Sequence, residues 1–234
     1  MKLLVGTSGY GYKEWKGSFY PEKLPQKEML NYYGQHFSAV ELNNTFRRMP
    51  TAASLKPLLE EVPSNFRIVV KAPQTITHIK RLNGVDTPLT EFKSALKVLG
   101  KQRGPVLFQL PPNFKKDLDR LTAFLKKLGK SIAAAFEFRH ASWYDDEVFE
   151  LLRKHSCALC AADSDETPPA QFLNSTTWGY VRLRREGYSK KELKAWLKKI
   201  KDMGWGEVYV FFKHEETGTG PRLAKELLKI FNQL

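Results

Sequence analysis

Residues 106–138 read VLFQLPPNFKKDLDRLTAFLKKLGKSIAAAFEF, a stretch in which two apolar, β-rich runs enclose a helical pattern. Asp117 stands at the start of the helical pattern, where an N-terminal cap is expected. One side of that helix carries an apolar stripe of Leu118, Leu121, Leu125 and Leu128. The order strand, helix, strand predicts one β/α unit followed by the strand of the next.

The same alternation extends along the whole chain. Runs rich in β-forming residues occur eight times, at residues 3–7, 39–43, 67–71, 106–110, 133–138, 158–163, 180–183 and 208–212. Helical patterns lie near residues 26–36, 52–61, 88–99, 117–129, 143–155, 189–202 and 221–232, and the interval 164–177 lacks one. Eight units in 234 residues, without a low-complexity linker, favour a closed (β/α)8 barrel over an open sheet. We therefore predict an α/β protein with a single TIM-barrel-like domain over residues 1–234.

Composition narrows the class of protein further. Hydrophobic residues make up 42% of the chain and aromatic residues 12%, which excludes intrinsic disorder. No apolar run approaches the roughly 18 residues of a membrane helix, and the opening MKLLV meets GTSG too soon for a signal peptide. We expect a cytoplasmic protein without a membrane partner, with Cys157 and Cys160 reduced and in the core.

The chain is strongly basic. Its 38 Lys and Arg residues exceed the 25 Asp and Glu residues, which gives a formal charge of +13. Such a surplus attracts polyanions, nucleic acid among them. The alternative is an ordinary solvated helix face, because much of the surplus is lysine in the helical pattern at 189–202.

Catalytic residues of a barrel come from the carboxyl ends of its strands. Polar or charged residues appear there in nearly every unit: Glu41, Asn43, Lys71, Gln109, Glu137, Arg139, Asp163, Arg182 and Lys213. Charges that point to one centre are costly unless they are paired or functional. We expect a site, and the alternative is a structural ion-pair network that plugs the barrel.

The mixture of charges suits an anionic ligand. Arg139 and Arg182 are expected to bind a phosphate or carboxylate, with Lys71 neutralising developing charge. Glu137 or Asp163 is expected to act as a base. The catalytic candidates are thus Glu41, Lys71, Glu137 and Asp163, and Asn43, Gln109 and Lys213 join the arginines as binding candidates.

Aromatic residues and histidines follow several strand ends. Tyr10, Trp15 and Trp143 are expected either to stack on a substrate or to form a hydrophobic lid. His78 and His140 are candidates for acid–base work or substrate binding. Their spacing matches no established metal motif, so we assign no metal ligand, and a divalent-metal site stays as an alternative.

Ordered sequence blocks resemble the YecE-like family, also called domain of unknown function 72. The blocks are GTSGY (6–10), WKG (15–17), FYP (19–21), VELNNTF (40–46), VKAP (70–73), TH (77–78), FQLPP (108–112), FEFRH (136–140), SW (142–143), AD (162–163) and YVRL (180–183). The resemblance implies a TIM-barrel-like fold, similar in outline to the xylose-isomerase-like group with its metal-dependent abasic-site endonucleases, and transfers no activity. One departure is Phe212-Lys213-His214, where the family usually has Phe-Asn-Asn, so a more basic mouth is expected.

Three functions follow as expectations. The first is an enzyme acting on a phosphate-bearing or other anionic substrate at the charged strand ends. The second is a non-catalytic protein that binds single-stranded nucleic acid. The third is a metal-dependent phosphodiester hydrolase. The sequence identifies no cofactor and no oligomeric state.

Overall fold

The computed structural model describes residues 1–164 and 168–233, and its centre is an eight-stranded parallel β-sheet. The strands are β1 Lys2–Thr7, β2 Ala39–Leu42, β3 Arg67–Lys71, β4 Arg103–Gln109, β5 Ala134–Glu137, β6 Ala158–Asp163, β7 Trp178–Leu183 and β8 Glu207–Phe212. From β2 to β8 each strand pairs with its neighbours in sequence, and β8 pairs with β1. The predicted (β/α)8 barrel is confirmed.

Helices follow the strands and cover the outside of the barrel. They are α1 Met29–Gly34, α2 Asn44–Arg47, α3 Ala52–Glu60, α4 Asp86–Leu96, α5 Leu118–Leu128, α6 Asp146–Lys154, α7 Lys190–Asp202 and α8 Thr219–Phe231. Shorter turns of 3-10 helix span Lys13–Trp15, Gln26–Glu28, Lys97–Gln102 and Ala141–Trp143, and Thr75–Ile79 is a π-helical turn. Within the described ranges no helix is both long and apolar enough to cross a membrane. Of the interval 164–177, residues 165–167 lie outside the description and the remainder contains neither helix nor strand.

Strand β4 begins at Arg103, three residues earlier than predicted, because Gly104 and Pro105 resemble a turn in sequence. At Gly104 the neighbouring strands approach closely, and a Cβ atom would lie 2.6 Å from Val69 Cγ2. The register between β3 and β4 shifts next to this point. Pro105 has no N–H to donate to a neighbouring strand, and a proline is tolerated at such an irregularity.

The barrel closes at the seam between β1 and β2, where the two strands meet at their carboxyl ends. Ser8 and Glu41 form an isolated parallel bridge there. Next to this bridge, the Tyr33 hydroxyl accepts a hydrogen bond from Thr7 N at the end of β1, at 2.7 Å, and donates to Ala39 O at the start of β2, at 3.1 Å. A tyrosine hydroxyl thus connects backbone groups that the strands leave apart.

Two apolar layers lie on the two faces of the sheet. The layer inside the barrel consists of Leu4, Ala39, Val69, Leu107, Ala135, Ala158, Cys160, Ala162, Tyr180, Tyr209 and Phe211. A larger layer packs between the strands and the helices and includes the predicted α5 stripe residues Leu121, Leu125 and Leu128. Successive side chains of a strand point to opposite faces, so the inner layer identifies which residues face the barrel interior.

Candidate functional site

Polar side chains continue the inner face of the barrel at the carboxyl ends of its strands. Two positions beyond Ala39, Val69, Leu107, Ala135 and Tyr180 of the inner layer stand Glu41, Lys71, Gln109, Glu137 and Arg182. Glu41 and Glu137 are 0% exposed and Arg182 is 1% exposed, whereas Lys71 is half-buried. The structure brings these five residues of the sequence analysis together at one mouth.

Arg182 joins two carboxylates across the barrel. Its Nη2 donates to Glu41 Oε1 at 2.8 Å, and its Nη1 donates to Glu137 Oε2 at 2.5 Å. A buried charge is heavily penalised unless it is paired and hydrogen-bonded, and here all three charges are. The arginine therefore connects β7 to β2 and β5 without contact with solvent.

Each carboxylate accepts further hydrogen bonds from neighbouring side chains. Ser8 Oγ donates to Glu41 Oε1 at 2.6 Å, and the Tyr180 hydroxyl donates to Glu41 Oε2 at 2.5 Å. Gln109 Nε2 donates to Glu137 Oε1 at 2.6 Å. Both carboxylates are thus fixed in orientation by groups on several strands.

Arg184 is a site residue that the sequence analysis missed. It follows Arg182 by two positions, its side chain is 14% exposed, and its Nη1 lies 3.5 Å from Glu137 Oε1. Burial alone would raise the pKa of Glu137, but the charges of Arg182 and Arg184 outweigh burial and lower that pKa to about 2. Glu137 is therefore an anchored anion rather than a group poised to take a proton. The two-residue spacing after Arg182 is the signal that would have identified Arg184.

Lys71 occupies the most unusual electrostatic position at the mouth. Its Nζ donates to Gln109 Oε1 at 2.8 Å and lies 4.1 Å from the centroid of the Phe46 ring. Burial and then the positive charge of Arg182 lower the pKa of Lys71 from 10.5 to about 7. A substantial fraction of this amine is uncharged at neutral pH.

His78 lies beside this lysine in the π-helical turn after β3. Its ring packs edge-on against Phe46 with centroids 4.7 Å apart, and its Nδ1 lies 2.9 Å from Thr77 Oγ1. Burial and then the charge of Lys71 lower the pKa of His78 to about 4. His78 is therefore a neutral imidazole near physiological pH.

The outer rim of the mouth adds more positive charge. Lys213 follows inner-layer Phe211 by two positions, and burial and then the charge of Arg184 lower its pKa. Lys213 Nζ lies 3.9 Å from Glu215 Oε1. The described basic residues of the mouth are Lys71, Arg139, Arg182, Arg184 and Lys213. Acidic residues stand among them, the buried Glu41 and Glu137 and, around Lys213, Glu186, Glu215 and Glu216.

Open space lies at the ends of several strands. A cavity of about 620 Å³ is lined by Arg184, Lys213 and His214, by the acidic residues Glu186, Glu215 and Glu216, and by Thr217 and Thr219. Another cavity, of about 390 Å³, is lined by Tyr10, Asn43 and their neighbours after β1 and β2. The predicted binding residues Tyr10, Asn43 and Lys213 thus border space that can admit a ligand.

Asp163 does not join the cluster, contrary to expectation. It stands opposite Leu183 in the β6–β7 register, and Leu183 packs in the outer layer. Asp163 Oδ2 accepts hydrogen bonds from Arg185 Nε at 2.9 Å and from the Tyr188 hydroxyl at 2.9 Å. The inner face of β6 carries Ala162 instead, so Asp163 lies at the correct rim but on the outside of the barrel wall.

Trp15 and Trp143 form no stacking platform at the mouth. Both indoles are 0% exposed. Trp15 Nε1 donates to Glu215 O at 2.9 Å, and Trp143 Nε1 donates to Phe114 O at 2.6 Å. Of the two predicted alternatives, stacking on a substrate or hydrophobic packing in a lid, only hydrophobic packing agrees with this burial.

His140, the second histidine predicted at the mouth, makes a local structural contact. His140 Nδ1 accepts a hydrogen bond from Ser142 N at 3.1 Å and so caps the turn Ala141–Trp143. Residues 1–164 and 168–233 contain no group of three or more His, Cys, Asp or Glu side chains that could hold a metal ion. The alternative of a metal site gains no support from the side chains of the mouth.

Comparison with known proteins identifies relatives along the whole chain. The model of the family described as "Protein of unknown function DUF72" matches residues 4–234. The UPF0759 protein YunF of Bacillus subtilis is 25% identical over 229 residues, which cover 92% of this chain and 79% of YunF. The UPF0759 protein YecE of Escherichia coli K12 is 31% identical over 116 residues, which cover 49% of this chain and 43% of YecE. The crystal structure of a DUF72 family protein from Thermotoga maritima matches with a TM-score of 0.88 at 28% identity, covering 99% of this chain and 100% of that one.

Proposed function

The chain belongs to the DUF72 family, whose description assigns no activity, and from this premise we propose that its barrel mouth is the active site of an enzyme for a small anionic substrate. The substrate carries a phosphate or a carboxylate group. The observation that supports this proposal is that Arg184 and Lys213 border a cavity at the strand ends. The fold alone would not support it, because barrels of this kind host many unrelated activities.

Arg184 and Lys213 are the basic side chains that border open space. The buried carboxylates Glu41 and Glu137 are already engaged by Arg182. Arg184 lies at the edge of that network, 3.5 Å from Glu137 Oε1, and lines the cavity of about 620 Å³ together with Lys213. Glu186, Glu215 and Glu216 line the same cavity, so the proposal places the anion against Arg184 and Lys213.

Two groups of residues at the mouth have different tasks in this proposal. The buried network of Glu41, Glu137 and Arg182 is closed to solvent and positions the side chains that border it. Arg184 and Lys213, together with Arg139, contact the substrate. A carboxylate with a pKa of about 2 makes a poor base, so Glu137 acts as an anchor.

Ligand-dependent thermal stability tests the proposal. Melting curves are recorded with inorganic phosphate, sugar phosphates and small carboxylates, because a ligand that binds the folded state stabilises it. At a concentration about a hundredfold above Kd the expected gain is roughly 2.7 kcal/mol. No stabilisation by any member of the panel would contradict an anionic substrate.

The neighbouring arginines provide a matched pair of variants. Arg184 faces the mouth, whereas Arg185 faces outward and pairs with Asp163 at 2.9 Å. We expect Arg184→Met to lose most of the stabilisation by the anion and Arg185→Met to retain it. Equal loss in both variants would indicate a non-specific effect of charge.

The formal charge of +13 favours a second candidate, the binding of single-stranded nucleic acid without chemistry. Its affinity would fall steeply with salt because counterions are released on binding. The buried indoles of Trp15 and Trp143 weigh against it, since neither ring has a face free for a base. Titration of labelled single-stranded DNA and RNA across a salt series decides, and absence of binding at low salt would exclude this candidate.

A further inference from the structure

Resting on the proposed function, we infer that the anionic substrate is a carbonyl compound and that Lys71 forms an imine with it. Lys71 lies at the carboxyl end of β3 and on the inner face of the barrel. Among the five cations of the mouth, the three arginines keep their protons and are not nucleophiles. Lys71 and Lys213 are the amines, and Lys71 is the one held against the buried network.

The amide of Gln109 fixes the position of the Lys71 amine. Gln109 Nε2 donates to Glu137 Oε1 at 2.6 Å, and that ionised oxygen can only accept, so the amide has one orientation. Gln109 Oε1 is therefore turned to Lys71 Nζ, 2.8 Å away. A hydrogen bond donated to this oxygen leaves the nitrogen lone pair directed away from Gln109.

The surroundings of Lys71 favour the neutral amine that an imine requires. Burial and the charges of Arg182 and Arg184 oppose protonation, whereas Glu41 and Glu137 favour it. The Phe46 ring also favours the ammonium form, because its face attracts a cation. The balance is a pKa of about 7. At neutral pH the uncharged fraction of Lys71 is then roughly a thousandfold larger than that of an ordinary lysine.

The step balances without a further reactant. The neutral Lys71 nitrogen forms a bond to the carbonyl carbon, and the π pair of the carbonyl moves to its oxygen. This oxygen takes one proton from the nitrogen and one from solvent and leaves as water. The product is a protonated imine with one N–H, a cation next to the carboxylate network of Glu137. His78, with a pKa of about 4, is neutral beside it and adds no repulsion.

Pyridoxal 5′-phosphate with borohydride is the probe, because it combines an aldehyde with a phosphate. The protein is treated near neutral pH, digested, and mapped by mass spectrometry. We expect the imine on Lys71 to form and to be reduced to a stable secondary amine at least about tenfold faster than on exposed lysines, since a desolvated lysine is the more reactive nucleophile. Labelling distributed over surface lysines without preference for Lys71 would overturn the inference.

Two variants and one competitor complete the test. Lys71→Arg keeps a cation but has no amine, and it should lose the adduct while inorganic phosphate still raises its melting temperature. Lys198→Arg, on the exposed side of α7, is the matched control and should label like the parent protein. Excess inorganic phosphate should slow labelling of Lys71.

Pyridoxal without the phosphate separates this inference from the proposed function. Slower labelling of Lys71 by pyridoxal than by its phosphate supports both. Equal rates, with no protection by inorganic phosphate, would contradict the anion site and leave imine formation by Lys71 supported. Protection of the protein by phosphate against heat without any Lys71 adduct would overturn the imine and leave the anion site supported.

Discussion

Two arginine–carboxylate networks begin three residues apart at the end of β7, on opposite sides of the barrel wall. Arg182 lies 2.8 Å from Glu41 inside the barrel, and Arg185 lies 2.9 Å from Asp163 outside it. The distances are nearly equal, but the arginine side chains are 1% and 34% exposed. Because Coulomb attraction and desolvation both depend on exposure, burial rather than distance separates the energetics of the two networks.

Arg182→Met should have the largest effect. It leaves Glu41 and Glu137 buried without their cation, and removing one member of a buried ion pair costs roughly 3–5 kcal/mol. Urea unfolding at neutral pH measures the loss. The loss should shrink in acid, where the stranded carboxylates can take up protons. A loss of unfolding free energy below about 1 kcal/mol would mean that the inner network contributes no more than an ordinary surface ion pair.

The pH dependence of the unfolding free energy should show that Glu137 is ionised in the folded protein. Its folded-state pKa lies at about 2 against an ordinary value of 4.5, so its contribution is fully present above pH 4.5 and is lost as the pH falls through about 2. At 1.36 kcal/mol per pKa unit the whole contribution is roughly 3 kcal/mol. We expect the unfolding free energy of Glu137→Gln to vary less with pH below 4.5 than that of the parent protein. Parallel pH profiles would show that Glu137 is not held as an anion.

Removing one tyrosine hydroxyl from each network compares the two networks by the same chemical change. Tyr180 donates to Glu41 Oε2 at 2.5 Å in the inner network, and Tyr188 donates to Asp163 Oδ2 at 2.9 Å in the outer one. Tyr180→Phe should cost roughly 1.5–3 kcal/mol, the range for hydrogen bonds to charged groups, because Glu41 cannot recruit water instead. Tyr188→Phe should cost less, since Asp163 is partly open to solvent. Chemical denaturation of both variants measures the difference, and equal losses would contradict the role given to burial.

The sequence predicts the barrel and most of the inner network, because both depend on simple alternation. Side chains two apart share a strand face, and this rule placed Glu41, Glu137 and Arg182 at one mouth. It failed at Asp163, because the run ALCAAD (158–163) is apolar on both faces and does not show which face is inside. The sequence prediction leaves out Arg184, because the β-rich run ends at Leu183 and Arg184 follows it.

Burial of the aromatic residues could not be predicted from the sequence. Trp15 and Trp143 occur in loops at the mouth, but their indoles are buried and donate to backbone carbonyls of distant segments. The partner of Trp15 is 200 positions away along the chain, and no local pattern reports such a contact. The low pKa of Lys71 likewise depends on burial and then on Arg182, which the fold brings to it from another strand.

Arg185→Met should have the smallest effect of the series. Its guanidinium pairs with Asp163 and Glu192 in a setting where water screens the charges, and exposed pairs contribute about 0.2–1 kcal/mol each. The guanidinium also lies 4.7 Å from the centroid of the Tyr188 ring, which adds a weak cation–π contact. We expect a total loss of about 1 kcal/mol by urea unfolding, and we expect the ion-pair part of it to decrease as salt screens the charges. A loss as large as that of Arg182→Met, insensitive to salt, would mean that the outer network behaves as a buried one and that side-chain exposure does not distinguish the two.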